Sequence, residues 1–150
     1  MFRIIVEASL CDGCMECVKA CNRHFNGDVE KSVNDGELAH SACYVKQDQN
    51  HRWVPLVCRQ CREPDCEATC MSGAIRRDLK SGSLTYDRDQ CAACFMCVMN
   101  CPYGMPKPEP DERKSVIKCD LCLGEGGPLC VAACHKGALQ LMEVEEKCDI

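Results

Sequence analysis

Large aromatic side chains are scarce in this 150-residue sequence, with three Phe, three Tyr and a single Trp. Such residues supply much of the apolar area that cores of this size bury. Something besides side-chain packing must therefore hold the chain, and the candidates are disulfides, zinc or iron–sulfur clusters. Long hydrophobic runs are missing as well; none approaches 18 residues, so no membrane-spanning helix is expected. Met1–Leu10 lacks a basic segment followed by an apolar stretch and a small-residue cleavage site. That reads against a secretory signal and leads to the expectation of a cytoplasmic chain, where thiols stay reduced and disulfides are rare. Positive charge is not in excess either. The formal net charge is −5, the opposite of the basic stripe that a nucleic-acid binder carries.

Cysteine, by contrast, is abundant: 18 residues, far beyond ordinary usage. Sixteen of them fall into four groups of four. The first is Cys11-x2-Cys14-x2-Cys17-x3-Cys21 and the second Cys58-x2-Cys61-x4-Cys66-x3-Cys70. The third repeats the first as Cys91-x2-Cys94-x2-Cys97-x3-Cys101, followed by Pro102, and the fourth is Cys119-x2-Cys122-x7-Cys130-x3-Cys134. Zinc sites are built from two CxxC-like pairs on separate knuckles. They do not explain three cysteines at steps of three followed by a fourth four residues later. That run has the bacterial ferredoxin spacing, in which three thiolates hold three corners of a [4Fe–4S] cube and the fourth serves another cluster.

The chain is an internal repeat. Between Cys70 and Cys91 the residues read as a strand at Ala74–Arg77, a turn at Lys80-Ser81-Gly82 and a strand at Ser83–Asp87. This gives an inner ferredoxin-like half, 54–101. The β-rich run Phe2–Glu7 before Cys11 and the run Gly137–Met142 after Cys134 are the expected strand partners of an outer half, 1–21 plus 116–150, split open around the inner one. Inserts 22–53 and 102–115 join the halves within a single unit, 1–150. The first insert has one expected strand around Ala42–Lys46; the second, rich in proline and charge, reads as an extended loop or surface linker. Short helices are expected after the third cysteine of each motif, as at Val98–Cys101 and Val131–Cys134. The expected fold class is α+β, a nested tandem of two-cluster ferredoxin-like units.

Three stretches carry a family resemblance: Pro55-x2-Cys58-x2-Cys61-x2-Pro64-x-Cys66-x3-Cys70, then Cys97-Val98-Met99-Asn100-Cys101-Pro102-Tyr103-Gly104, and Lys118-Cys119-Asp120-x-Cys122. With them the chain resembles the four-cluster ferredoxin-like iron–sulfur subunits of dimethyl sulfoxide reductases, formate dehydrogenases, formate hydrogenlyase, carbon monoxide dehydrogenase and tungsten aldehyde oxidoreductases. The resemblance implies four [4Fe–4S] clusters with nested ligation. Cys11, Cys14, Cys17 and Cys134 would hold the first, and Cys21, Cys119, Cys122 and Cys130 the second. Cys58, Cys61, Cys66 and Cys101 would hold the third, and Cys70, Cys91, Cys94 and Cys97 the fourth. It implies a non-catalytic electron-transfer subunit whose partners are a catalytic oxidoreductase subunit and a second redox protein. A free soluble polyferredoxin carrier is the alternative. Family motifs often place Pro after each fourth cysteine, whereas here only Cys101 is so followed.

Sixteen thiolates and four oxidised cores of about +2 each would bring the formal charge to roughly −13. Backbone N–H groups aimed at the sulfurs are expected to offset it. Cys43 and Cys148 read as plain buried thiols. His24, His40, His51 and His135 show no ligand spacing. Arg59, Arg62, Arg76, Arg77 and Lys80 read as a solvated face or, more sharply, as a docking patch for an acidic partner. Trp53 and Tyr103 read as packing residues.

Overall fold

The computed structural model describes residues 1–27, 32–34, 37–110 and 114–144. Its strands are β1 (Phe2–Val6), β2 (Ser32–Asn34), β3 (Glu37–Leu38), β4 (Tyr44–Gln47), β5 (Trp53–Leu56), β6 (Ile75–Arg77), β7 (Leu84–Tyr86), β8 (Lys107–Pro108), β9 (Val116–Ile117) and β10 (Leu139–Glu143). Its helices are α1 (Glu16–Asn26), α2 (Asp65–Ala68), α3 (Met96–Asn100) and α4 (Leu129–Ala132). Every sheet among the described residues is a two-stranded antiparallel pair: β1–β10, β2–β3, β4–β5, β6–β7 and β8–β9. An isolated pair of this kind is at best marginally stable in water. The sheets therefore depend on what lies between them.

The hairpin expected between the second and third motifs is β6–β7, with Ile75 opposite Tyr86 and Arg77 opposite Leu84. Its turn is held by the Asp78 carboxylate, which accepts from the Ser81 N–H at 2.9 Å and the Ser81 hydroxyl at 2.7 Å. The two ends of the described chain pair as β1–β10, Phe2 opposite Glu143 and Val6 opposite Leu139. The two pairs repeat one another in detail. The Asp87 N–H donates to Ala74 O at 2.8 Å, as Glu7 N–H donates to Ala138 O at 2.8 Å. Gly73 N–H donates to Cys70 O and Gly137 N–H to Cys134 O, both at 3.1 Å, and both glycines sit at φ 68°. That left-handed turn lets the chain reverse from the fourth cysteine into the strand without a Cβ penalty.

Three expectations are refined. The strand of the first insert is Tyr44–Gln47, and its partner β5 was not expected, because Pro55 within it cannot donate to a ladder. The pair has only two strands, so Pro55 stands at an edge opposite Val45. The helices begin before the third cysteine rather than after it. Cys17, Cys66, Cys97 and Cys130 are each the second residue of their helix. Left-handed residues at Met15 and Phe95 and the prolines Pro64 and Pro128 turn the chain there and start the helix early. In the second insert, Lys107–Pro108 is a strand paired with Val116–Ile117, while residues 111–113 lie outside the described set.

Two small cores form. One joins Ile4, Val18, Ala42, Val45, Val57, Ile117, Leu121 and Leu139 to Cys17, Cys21, Cys43 and Cys130. The other joins Ile75, Leu84 and Val116 to Cys66 and Cys97. Trp53 packs on the first core and covers the first cysteine loop: a Cβ added to Gly13 would lie 2.5 Å from its indole. Gly13 has φ 77° and Ala93 takes the same loop position in the third motif at φ 50°. The backbone thus tolerates Ala, and the indole is what requires Gly. Gly13→Ala is expected to destabilise the holoprotein by about 1–3 kcal/mol through overpacking. Ala93→Gly is expected to change stability by less than about 1 kcal/mol. Anaerobic denaturant melts of the two variants check the contrast.

Candidate metal centres

Each cysteine loop carries a left-handed residue just before its second cysteine: Gly13 at 77°, Gln60 at 47°, Ala93 at 50° and Leu121 at 59°. For the non-glycine residues this conformation costs roughly 1–2 kcal/mol each. Alternating right- and left-handed residues turn successive backbone N–H groups toward one point, which makes a concavity for an anionic group such as a sulfide-rich cluster. Two N–H groups already reach a fourth cysteine: Ala42 N–H donates to Cys21 Sγ at 3.2 Å and Ile75 N–H to Cys70 Sγ at 3.4 Å. Such bonds are among the determinants of cluster potential.

Cysteines distant in sequence meet around cavities. Cys11, Cys14, Cys17 and Cys134 line one, with Met15, Val45, Pro55 and Leu139. Cys70, Cys91, Cys94 and Cys97 line another, with Ile75, Tyr86, Phe95 and Val116. Cys21, Cys119, Cys122 and Cys130 line a third, which Cys43 and Cys58 also border. Cys58, Cys61, Cys66 and Cys101 form the remaining neighbourhood. Burial raises the Cys61 thiol, and Cys58 and Cys101 add to it. Burial pushes Cys66 up to about 11, again with contributions from Cys58 and Cys101.

The donors are thiols set in apolar walls, which suit soft metal centres and not oxygen-seeking cations. Burial likewise holds Cys97 and Cys122 at about 11 and Cys130 at about 12. These groups stay protonated at neutral pH until a metal displaces the proton, so loading is coupled to proton release. The donor chemistry and the turned-in N–H groups fit a [4Fe–4S] cluster.

Neighbouring sets also influence one another in order, from the first to the fourth. Cys17 and Cys21 of α1 belong to the first and second sets and influence one another's charge. A hydrogen bond from the Cys119 thiol lowers Cys58 and raises Cys119, linking the second and third sets. Cys66 feels Cys97, linking the third and fourth. In the first and fourth sets Cys14 and Cys94 are exposed.

Among the remaining residues, Cys43 is buried in the first core beside Cys17 and Cys21, with Sγ 3.5 Å from Cys17 O. Cys148 lies outside the described residues. His135, which follows Cys134 where the family motif often has proline, has Nδ1 3.9 Å from Cys14 Sγ and Nε2 3.5 Å from Asp12. Arg77 does not belong to a solvated patch. Its guanidinium donates to Gly82 O, Cys61 O and Arg62 O at 2.5, 2.6 and 3.0 Å, clamping the hairpin onto the second cysteine loop. Arg59 stacks on Tyr103, 4.4 Å from the ring centroid. Two further residues are buried polar groups whose interior place the sequence did not mark. Gln60 is fully buried, accepting from Leu84 N–H at 2.8 Å and donating to Cys119 O at 3.4 Å. Lys118 is buried beside the same carbonyl.

His24 shows how the fourth motif is tied to α1. Its Nδ1 lies 2.9 Å from Glu125 and its Nε2 3.1 Å from Asp120. Partial burial works against the imidazolium, but the hydrogen bonds to Glu125 and Asp120 outweigh it and raise the His24 pKa. A raised folded-state pKa stabilises fully below the unfolded value of about 6.5, and that contribution is lost as pH rises through the folded value. Holoprotein stability is expected to fall over this window, and His24→Gln is expected to flatten the dependence. Anaerobic urea melts across the pH series measure it.

Among the described residues no helix is long and apolar enough to cross a membrane. Comparison with known proteins converges on one family. The 4Fe-4S dicluster domain matches residues 49–144. The putative electron transport protein YsaA of Escherichia coli K12 is 34% identical over 148 residues, covering 95% of this chain and 90% of its own. The NADH-dependent phenylglyoxylate dehydrogenase subunit beta of Aromatoleum evansii is 33% identical over 139 residues. That match covers 91% of this chain but only 29% of the relative. A chain of the active site complex BamBC of benzoyl coenzyme A reductase, solved with 1,5-dienoyl-CoA, is 26% identical. It superposes with a TM-score of 0.52, covering 100% of this chain and 81% of that one. The chain therefore belongs to the 4Fe-4S dicluster family of iron–sulfur electron-transfer subunits.

Proposed function

We propose that this chain relays electrons through four [4Fe–4S] clusters between a catalytic oxidoreductase subunit and a second redox partner. The observation that carries the reading is the series of four cysteine sets, exposed at Cys14 and Cys94 and buried or half-buried in the two sets between them. Each cluster, when bound, takes up or releases a single electron. Cys11, Cys14, Cys17 and Cys134 hold the first cluster, and Cys21, Cys119, Cys122 and Cys130 the second. Cys58, Cys61, Cys66 and Cys101 hold the third, and Cys70, Cys91, Cys94 and Cys97 the fourth. The outer half, 1–21 plus 116–150, wraps the inner half, 54–101. The matching hydrogen bonds at Asp87/Ala74 and Glu7/Ala138 support that nesting. Exposed Cys14 and Cys94 bring the end clusters within reach of partners, while apolar side chains wall the second set.

The catalytic partner is of carbon monoxide dehydrogenase, tungsten aldehyde oxidoreductase, formate dehydrogenase or hydrogenase type. The relatives' own names extend this range to phenylglyoxylate dehydrogenase and benzoyl coenzyme A reductase. A cytoplasmic location suits seventeen unpaired cysteines among the described residues. A free polyferredoxin carrier is the second reading. Anaerobic purification of the tagged chain from its own host separates the two. A stoichiometric oxidoreductase subunit is the expected companion; a chain recovered alone, fully loaded with iron and active as a diffusible carrier, would replace the subunit reading.

A further inference from the structure

Lys118 heads the largest fully buried side chains, with 1% of its surface exposed. Its Nζ folds back to donate to the carbonyl of the next residue, Cys119, at 2.8 Å. No carboxylate among the described residues lies within ion-pairing distance of it. An ammonium taken out of water without a counter-charge is costly, and several kcal/mol must be offset by negative groups nearby. Its surroundings belong to two cysteine sets. Nζ sits on the Cys119 carbonyl of the second set, which Gln60 from the loop between Cys58 and Cys61 of the third also reaches. Its charge acts on Cys58, Cys66 and Cys119. Nor is the lysine needed merely to satisfy the Cys119 carbonyl, since the buried Gln60 amide donates to that oxygen too.

Resting on the four-cluster reading, we propose that Lys118 is a fixed positive charge at the joint between the second and third cysteine sets. It raises the reduction potentials of the two clusters held there and leaves those of the two end clusters unchanged. An electron added to either inner cluster is stabilised by the buried ammonium, and low local dielectric strengthens the effect. The first set, around Cys14, and the fourth, around Cys94, lie one position further along the series on either side. The lysine thus gives the relay an electron-attracting middle, so that charge entering at either end moves inward.

The test is an anaerobic potentiometric titration followed by EPR on the holoprotein, with iron and sulfide measured on the same samples. Lys118→Met removes the charge and the hydrogen bond. Lys118→Gln removes the charge but keeps a donor for Cys119 O, and Lys118→Arg keeps the charge. In both uncharged variants, two of the four couples are expected to become at least tenfold harder to reduce, a shift of about 59 mV for a one-electron couple. The other two stay in place, and Lys118→Arg stays close to wild type. If Lys118→Gln keeps wild-type potentials, or if all four couples move together, the lysine acts only as a structural tie and the proposal is wrong. Loss of iron from one inner site in both uncharged variants, with unchanged potentials in the three clusters that stay, would assign the charge to cluster retention and overturn the proposal. An iron content below four clusters in wild type would instead overturn the four-cluster reading itself.

Discussion

Cys134→Ala is expected to remove about four irons per chain and to abolish the same EPR signal that Cys11→Ala abolishes. The two cysteines stand near opposite ends of the sequence, yet they border one cavity with Cys14 and Cys17. The arrangement follows from the fold. β1 leads into the first loop, β10 leaves the fourth motif, and the two strands pair from Phe2/Glu143 to Val6/Leu139. Helices α1 and α4 pack against one another, which brings Cys17 and Cys130 into the same core. By the same logic Cys21→Ala damages the site of Cys119, Cys122 and Cys130, although Cys21 lies in the same helix as Cys17. If each motif held its own metal, Cys134→Ala would damage the signal lost in Cys119→Ala and leave the Cys11 signal intact. EPR of the reduced variants, with iron analysis, reads the difference directly.

Removing the iron is expected to unfold the chain. Oxidative destruction of the clusters under a chelator should abolish cooperative unfolding and most of the far-UV helical signal. Anaerobic return of iron and sulfide to the reduced chain should restore both. The reason lies in how little else there is to fold around. Two-stranded pairs are marginal alone, and three of the four helices span only four or five residues. Cysteines make up four of the twelve buried members of the first core and two of the five of the second. Without metal the chain keeps buried thiols and strained left-handed loops with no bonds to compensate them. Folding and metal binding then become one equilibrium, as in other small metal-stapled domains. An apoprotein that melts cooperatively at the temperature of the holoprotein would contradict this.

Much of this was legible in the sequence, because cluster ligation demands fixed spacing. The inner hairpin could be read from Lys80-Ser81-Gly82 between two apolar runs, and the β1–β10 pairing from the repeat of Gly73-Ala74 as Gly137-Ala138. What escaped was set by tertiary contact. β5 was hidden by Pro55, whose lost N–H costs nothing at an edge. The early helix starts came from left-handed Met15 and Phe95, residues without any preference for that region. Arg77 looked like surface charge because nothing local shows that three carbonyls converge on it. The burial of Lys118 and Gln60 was hidden for the opposite reason, although Lys118 stands in a family motif: polar residues are expected outside. Only the meeting of the second and fourth motifs shows why they are in the interior.

The most direct measurement is an anomalous difference map at the iron edge from crystals grown anaerobically. The account predicts four iron peaks in a single row. In order they are ringed by Cys11/Cys14/Cys17/Cys134, Cys21/Cys119/Cys122/Cys130, Cys58/Cys61/Cys66/Cys101 and Cys70/Cys91/Cys94/Cys97. Fewer than four peaks, or a peak whose four sulfurs all come from one motif, would contradict it.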